Sequence, residues 1–190
     1  RSMAQEAEWS CRQWLTVNPM ETEIADGEKL VIRYTIRIPQ SAPARGYHCA
    51  AGFTAMAPAG EAKAIGIRNV VRAVAAFYAT IGDHHPKGEV AGLALEKAGD
   101  SNIAVLMLRN DAEVHIRPSG RLDVLNAGGQ AIETVPLPAF PVLPRREQRF
   151  VLPLKSDPAM ARALRVKVDL GMDEIQEATV RLENNGGEAN

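Results

Sequence analysis

The chain has 190 residues, 46% hydrophobic and 24% charged, with 22 Lys plus Arg against 23 Asp plus Glu. Such apolar content excludes a disordered chain, and a net charge of -1 argues against a general nucleic-acid binder, whose affinity comes from phosphate neutralisation. No apolar run approaches the roughly 20 residues of a membrane-spanning helix, and the length allows one large domain or two small ones.

The N-terminal Arg1-Ser2-Met3-Ala4-Gln5-Glu6 holds no basic stretch followed by an apolar core, so no signal peptide is read there. A mature form or an excised fragment is expected. Trp14-Leu15-Thr16-Val17 is strand-prone and stops at Asn18-Pro19. After a turn at Ala25 to Glu28, Leu30 to Ile38 alternates. Ile32, Tyr34, Ile36 and Ile38 share one face, Arg33, Thr35 and Arg37 the other, which predicts a half-buried strand. Pro39 to Gly46 reads as a loop and Tyr47 to Ala55 as a strand. Ala62 to Ile81 fits helical spacing at Ile67, Val70, Val71, Val74, Phe77, Tyr78 and Ile81. Its β-branched and aromatic content favours a strand of about ten residues ending at Gly82.

Gly82-Asp83-His84-His85-Pro86-Lys87-Gly88 is polar and rich in chain-breaking residues. It divides the chain into a first domain at 1–83, a linker at 84–88, a second domain at 89–184 and a disordered tail at 185–190. Seven strand-like runs fill the second domain: 90–96, 103–108, 119–125, 131–137, 148–154, 163–170 and 174–182. Gly128-Gly129 reads as a turn, and Gly171-Met172-Asp173 as a tight hairpin between the last two strands. Seven short strands at this interval describe an immunoglobulin-like sandwich. The first domain offers only about four strands, so residues upstream of Arg1, or another strand, are expected to complete it. An open sheet edge invites such a strand. The expected fold is all-β, two immunoglobulin-like β-sandwich domains, the first incomplete at its N-terminus.

Cys11 and Cys49 read as two buried thiols or as a disulfide, the latter favoured in an exported protein. No CxxC, GxSxG, HExxH, GxGxxG or P-loop occurs, so no enzymatic function, catalytic residue or cofactor is expected. His84-His85, with Asp83 as a third candidate ligand, reads as solvated linker rather than a metal site. Glu21 with Glu23, and the basic groups Arg145-Arg146-Arg149 and Arg162-Arg165-Lys167, read as solvated charge.

A set of landmarks runs through the first half: Trp14 to Pro19, Gly27-Glu28, Ile36-Arg37-Ile38-Pro39, Ala42-Pro43, Gly46-Tyr47 and Phe53. Gly88-Glu89-Val90, His115 to Gly120 and Pro136 to Pro144 continue it. This spacing resembles the periplasmic pilus-assembly chaperones and their bacterial relatives, over most of the chain. The resemblance implies two immunoglobulin-like domains in a boomerang, a periplasmic or otherwise exported location, and binding of an extracytoplasmic protein such as a pilus-like subunit. Binding in that family is strand addition from the first domain, with affinity from main-chain hydrogen bonds. The corresponding strand here is Val70 to Ile81, presenting Val70, Val74, Ala76 and Tyr78, or the opposite parity. The family holds its partner's terminal carboxylate with two basic residues. One belongs to a first strand expected to be absent here, and Arg68 or Arg72 matches the other. Ala73, Ala75, Ala76 and Ala79 make poor pocket-filling knobs, which favours a relative of the same architecture over a true pilus-subunit chaperone. The alternative is a structural surface or adhesin-type β-sandwich without a chaperone role.

Overall fold

The computed structural model describes residues 8–25, 27–55 and 70–182. The described residues form eleven strands and no helix, so the chain is all-β. It divides into two compact units, Arg1–Gly82 and Asp83–Asn190.

In the first unit β1 (Leu15–Asn18) pairs antiparallel with β2 (Arg33–Ile36), and β3 (Gly46–Thr54) pairs antiparallel with β4 (Arg72–Thr80). Trp14 lies against Tyr47 with ring centroids 4.4 Å apart, and Tyr34 against Phe77 at 4.8 Å. The two small sheets therefore face each other. Cys11 and Cys49 form a disulfide, which decides between the two readings of the cysteines. It ties the segment before β1 to β3. Next to it the His48 N–H donates to the Trp9 carbonyl at 2.9 Å, and the Cys11 N–H to the His48 carbonyl at 3.2 Å. One side of β3 is thus bordered by chain from its own N-terminal region.

Two expectations for this unit need correction. The alternating run Leu30 to Ile38 makes a ladder only from Arg33 to Ile36. Its apolar face is only partly covered: Ile32 and Ile36 are half-buried, but Tyr34 is 60% exposed and Ile38 47%. Alternation sets which side chains share a face, but burial needs a partner layer, and two-stranded sheets supply little of one. Among the described residues of this unit the buried apolar side chains are Cys11 and Tyr47. The ambiguous run Ala62 to Ile81 is a strand over Arg72–Thr80, and its first part, 62–69, lies outside the described residues.

The second unit holds β5 (Gly88–Ala98), β6 (Ser101–Asn110), β7 (Ser119–Leu125), β8 (Ala131–Pro136), β9 (Glu147–Pro153), β10 (Ala163–Asp169) and β11 (Gln176–Arg181). Gly88, placed in the linker by the sequence, opens β5. All seven strands fall on the predicted runs. They form two antiparallel sheets, ordered β5-β6-β9 and β11-β10-β7-β8. Leu106, Leu108 and Phe150 of one sheet pack with Val166 and Val168 of the other. Ala104 and Leu152 pack likewise with Leu122, Val124 and Leu164. Burying a Leu, Val or Phe side chain contributes about 1.5–3 kcal/mol, so these two clusters are the main stabilising term of the unit. The period of two in Leu164, Val166 and Val168 is the sequence pattern that builds this core.

Two local features depart from the sequence reading. The β10–β11 connection is not a tight hairpin. Val168 is the last β10 residue paired with β11, opposite Gln176, so a wide loop lies between them. In that loop the Asp169 side chain accepts from the Gly171 N–H at 2.7 Å, and Gly171 takes the left-handed φ of 80°. The second feature is the buried Asn110. Its side-chain N–H groups donate to the carbonyls of Val114 (2.8 Å), Val142 (2.9 Å) and Leu143 (3.1 Å), and its oxygen accepts from the Ala112 N–H at 2.9 Å. One amide thereby pins two irregular loops at one end of the sandwich.

Candidate functional site

The residues expected to bind a partner lie on β4. Its register with β3 sets Arg72 opposite Thr54, Val74 opposite Gly52, Ala76 opposite Ala50 and Tyr78 opposite His48. The Ile81 N–H donates to the Arg45 carbonyl at 3.0 Å, and the Ala55 N–H to the Val71 carbonyl at 2.9 Å. In an antiparallel ladder, main-chain groups alternate between the two edges of a strand. The odd-numbered residues of β4 therefore bond to β3. The main-chain groups of Arg72, Val74, Ala76 and Thr80 point to the opposite edge, along which the described residues place no strand.

Side chains follow the same parity. Tyr47 and Cys49 sit opposite Ala79 and Phe77, and Tyr47 and Phe77 meet the rings of Trp14 and Tyr34. The odd set of β4 faces the β1–β2 sheet. The even set, which includes Arg72, Val74, Ala76 and Tyr78, faces the other way. Val70 precedes the strand, and Val70, Val71 and Val74 are exposed, Val74 at 63%. The Arg72 guanidinium lies across the neighbouring strand. A Cβ at Gly52 would come within 2.7 Å of its Nη2 and 2.8 Å of its Nε, so Gly52 provides the room it occupies. Arg68 lies outside the described residues. The structure thus brings Arg72, Val74, Ala76 and Tyr78 together on one sheet face, with Val70 just beyond its end.

The remaining polar candidates are dispersed. Glu21 and Glu23 are exposed, and His85 is exposed in the connecting segment. Among the described residues no group of three His, Cys, Asp or Glu side chains is placed to hold a metal ion. Four residues of the second unit's basic groups pair with carboxylates, Arg149 with Glu96 at 2.8 Å, Arg145 with Glu113, Lys167 with Glu177 at 3.0 Å and Arg165 with Asp123 at 3.3 Å, while Arg162 donates to the Ala159 and Ala161 carbonyls. Sheet register sets Lys167 opposite Glu177 and Arg165 opposite Asp123, while Arg145 with Glu113 and Arg149 with Glu96 meet across loops and non-adjacent strands.

Two carboxylates in the second unit are held in structural roles. Asp123 is buried on β7. Burial alone acts to raise its pKa, but the Thr134 hydroxyl (2.8 Å), the Arg165 guanidinium and the charge of Arg121 outweigh it, and the group is held below the usual range. Glu133 on β8 accepts from the Lys155 N–H at 2.9 Å and the Ser156 N–H at 2.8 Å. Burial raises its pKa, and these main-chain donors more than offset that, so it too lies below its ordinary value. Sequence inspection singled out neither residue, because their burial depends on partners 11 to 42 residues away.

Among the described residues no helix is long and apolar enough to cross a membrane. Neither a protein-family model, nor a curated protein, nor a solved structure matches the chain.

Proposed function

We propose that this chain is an exported, non-enzymatic binding protein. It is built like the pilus-assembly chaperones, from two immunoglobulin-like domains, and engages an extracytoplasmic protein by β-strand addition along β4. One observation carries the reading: the outer edge of β4 has no strand beside it among the described residues, and exposed Val70, Val71 and Val74 flank it. Such an edge is a template for another extended chain. The Cys11–Cys49 disulfide is compatible with an oxidising compartment.

The test uses the N–H of Ala76, which points away from β3. Ala76→Pro removes that donor and leaves the β3–β4 ladder its bonds; proline is tolerated at such edge positions. A photocrosslinker at Val74, in the protein exported in its own cells, is expected to couple to an extended segment of one partner. The coupling should be lost on adding Ala76→Pro. If it persists at full yield in that variant, the partner does not pair with this edge.

A further inference from the structure

The two outer faces of the second unit's sandwich differ in kind. On the β11-β10-β7-β8 sheet Leu122, Val124, Leu164, Val166 and Val168 point inward, so the outer side carries Arg121, Asp123, Arg165, Lys167 and Glu177. That is the ordinary pattern of an antiparallel sheet with one wet face. The β5-β6-β9 sheet breaks it. Leu93 and Leu95 of β5, Leu106 and Leu108 of β6, and Phe150 and Leu152 of β9 point inward. The register then puts Ala94, Ile103, Val105, Met107, Val151 and Pro153 on the outside. The β6 run 103–108 is therefore apolar on both faces, the pattern of a strand covered from both sides. Among the described residues of this unit no third sheet lies over that outer face.

One ion pair crosses this apolar patch. Arg149 lies opposite Met107 and Glu96 opposite Ile103, with β6 between them. Their 2.8 Å contact therefore runs diagonally past Val105, which is 4% exposed although it faces outward. The flanks stay bare: Ala94 is exposed, and Val151 is 43% exposed. Charge selects the occupant. One cation and one anion stand at opposite corners of the patch, so a partner of strong net charge meets a like charge at one of them. A second copy of the same face does not. A twofold axis above Val105, square to the line from Arg149 to Glu96, sets each Arg149 against the other copy's Glu96 and Val105 against its counterpart. Both charged side chains are about half exposed, and an exposed ion pair contributes little, so exchanging one Glu96 for the other costs little.

We propose that the outer face of β5-β6-β9 is where two copies of this chain associate. The copies pack sheet against sheet about a twofold axis, their apolar patches cover each other, and each Arg149 turns from its own Glu96 to that of the other copy. Strand spacing and rise give three strands of five to seven residues a footprint of roughly 300 Å² on each copy. A standard interface takes about 800 Å² from each partner. The dimer is therefore weak and concentration-dependent rather than obligate. It lies on the second unit and is independent of the strand-addition reading of β4.

Sedimentation of the whole chain between about 10 µM and about 1 mM is expected to show a monomer–dimer equilibrium. Ala94→Glu and, separately, Val151→Glu put a carboxylate on the bare flanks of the patch and should weaken the dimer about tenfold or more. Both positions are exposed, and circular dichroism shows whether each variant is folded. Mixing tests the exchange of partners. Arg149→Glu alone sets like charges across the axis, and so does Glu96→Arg, so neither variant should self-associate. Mixed in equal amounts they should form a heterodimer about as stable as the wild-type dimer, because every glutamate then faces an arginine. A wild type that stays monomeric to about 1 mM overturns the proposal. So does undiminished dimerisation of the folded Ala94→Glu and Val151→Glu variants, which would place the contact on another face. A mixture of the two charge variants that stays monomeric overturns the twofold arrangement, and the proposal with it.

Discussion

The side chain of Gln176 takes the place of a missing strand at Gly88. Its N–H donates to the Gly88 carbonyl at 2.9 Å, while its oxygen accepts from the Val90 N–H at 3.0 Å. Gln176 opens β11 and Gly88 opens β5, the edge strands of the two different sheets. Glu133 does the corresponding work on the opposite flank, joining β8 to the chain just after β9. Each seam of the sandwich is therefore closed by one side chain bonded to main chain. An amide that both donates and accepts can satisfy two groups of a strand edge at once. Gln176→Leu leaves the Gly88 carbonyl and Val90 N–H without this partner and is expected to cost about 1–3 kcal/mol. The urea midpoint of the second unit, read by circular dichroism, checks this. An unchanged midpoint would show that the seam is held by packing alone.

The depressed pKa values of Asp123 and Glu133 give the second unit an acid-sensitive stability. A group whose pKa is lower in the folded state contributes stability that is complete above its unfolded pKa, here about 4 to 4.5. That contribution is lost as pH falls through the folded-state value. Urea midpoints of the second unit should be flat from about pH 7 to pH 5 and drop below that. The pair of substitutions Asp123→Asn and Glu133→Gln should lower the midpoint at pH 7 and flatten its fall in acid. A double variant that keeps the wild-type slope would assign the acid response to other groups.

Reduction should separate the two units. Both tryptophans, Trp9 and Trp14, and all three tyrosines lie in the first unit, so intrinsic fluorescence reports on that unit alone. The Cys11–Cys49 bond closes a loop across a sequence separation of 38, and both cysteines of the chain are in this bond. Its removal by Cys11→Ala with Cys49→Ala is expected to destabilise the first unit by about 2–4 kcal/mol. Hydrogen exchange in β5 to β11 should be unaffected. Loss of protection in those strands would mean that the second unit depends on the first.

Asn110→Ala is expected to be among the most damaging single changes in the second unit. It removes one buried amide and leaves three carbonyls and one N–H in the loops around Val114 and Val142 without that partner. A cost of about 3 kcal/mol follows from the burial of those groups. Asn110→Asp retains the acceptor for Ala112 but sets a carboxylate against three carbonyls, and is expected to be no better. Thermal unfolding of the two variants measures this directly.

Close packing of two strands makes Gly120 a further test. It has a φ of 149°, and a Cβ there would collide with the Lys167 carbonyl oxygen. Gly120→Ala should break the β7–β10 ladder near Val168, seen as faster exchange of the amides around that pair. Gly99→Ala, in an open turn with nothing near it, should leave that ladder intact.

What could be read before folding was whatever repeats at short range. Leu122 with Val124, and Leu164 with Val166 and Val168, alternate strictly because every second side chain of a strand meets the other sheet. That is why all seven strands of the second unit were placed, with the all-β class. The same pattern misled at Tyr34 and Ile38, where the alternation is present but the covering layer is thin. The β10–β11 loop was read as a tight hairpin from its glycine, although Gly171 serves a wider turn closed by Asp169. On β4 both parities were open, and only the pairing with β3 and the ring contacts of Tyr47 and Phe77 put Arg72, Val74, Ala76 and Tyr78 on the outward face.

The sequence by itself determined the strands and the faces they present, since both follow from residues one or two positions apart. Length, composition and charge left one domain or two open. Only the tertiary structure decided that Cys11 bonds Cys49, that Gln176 and Glu133 close the seams, that Asp123 is buried, and that the odd-numbered residues of β4 bond to β3. Each of these joins residues distant along the chain, and local pattern carries no information about which strands come to lie side by side.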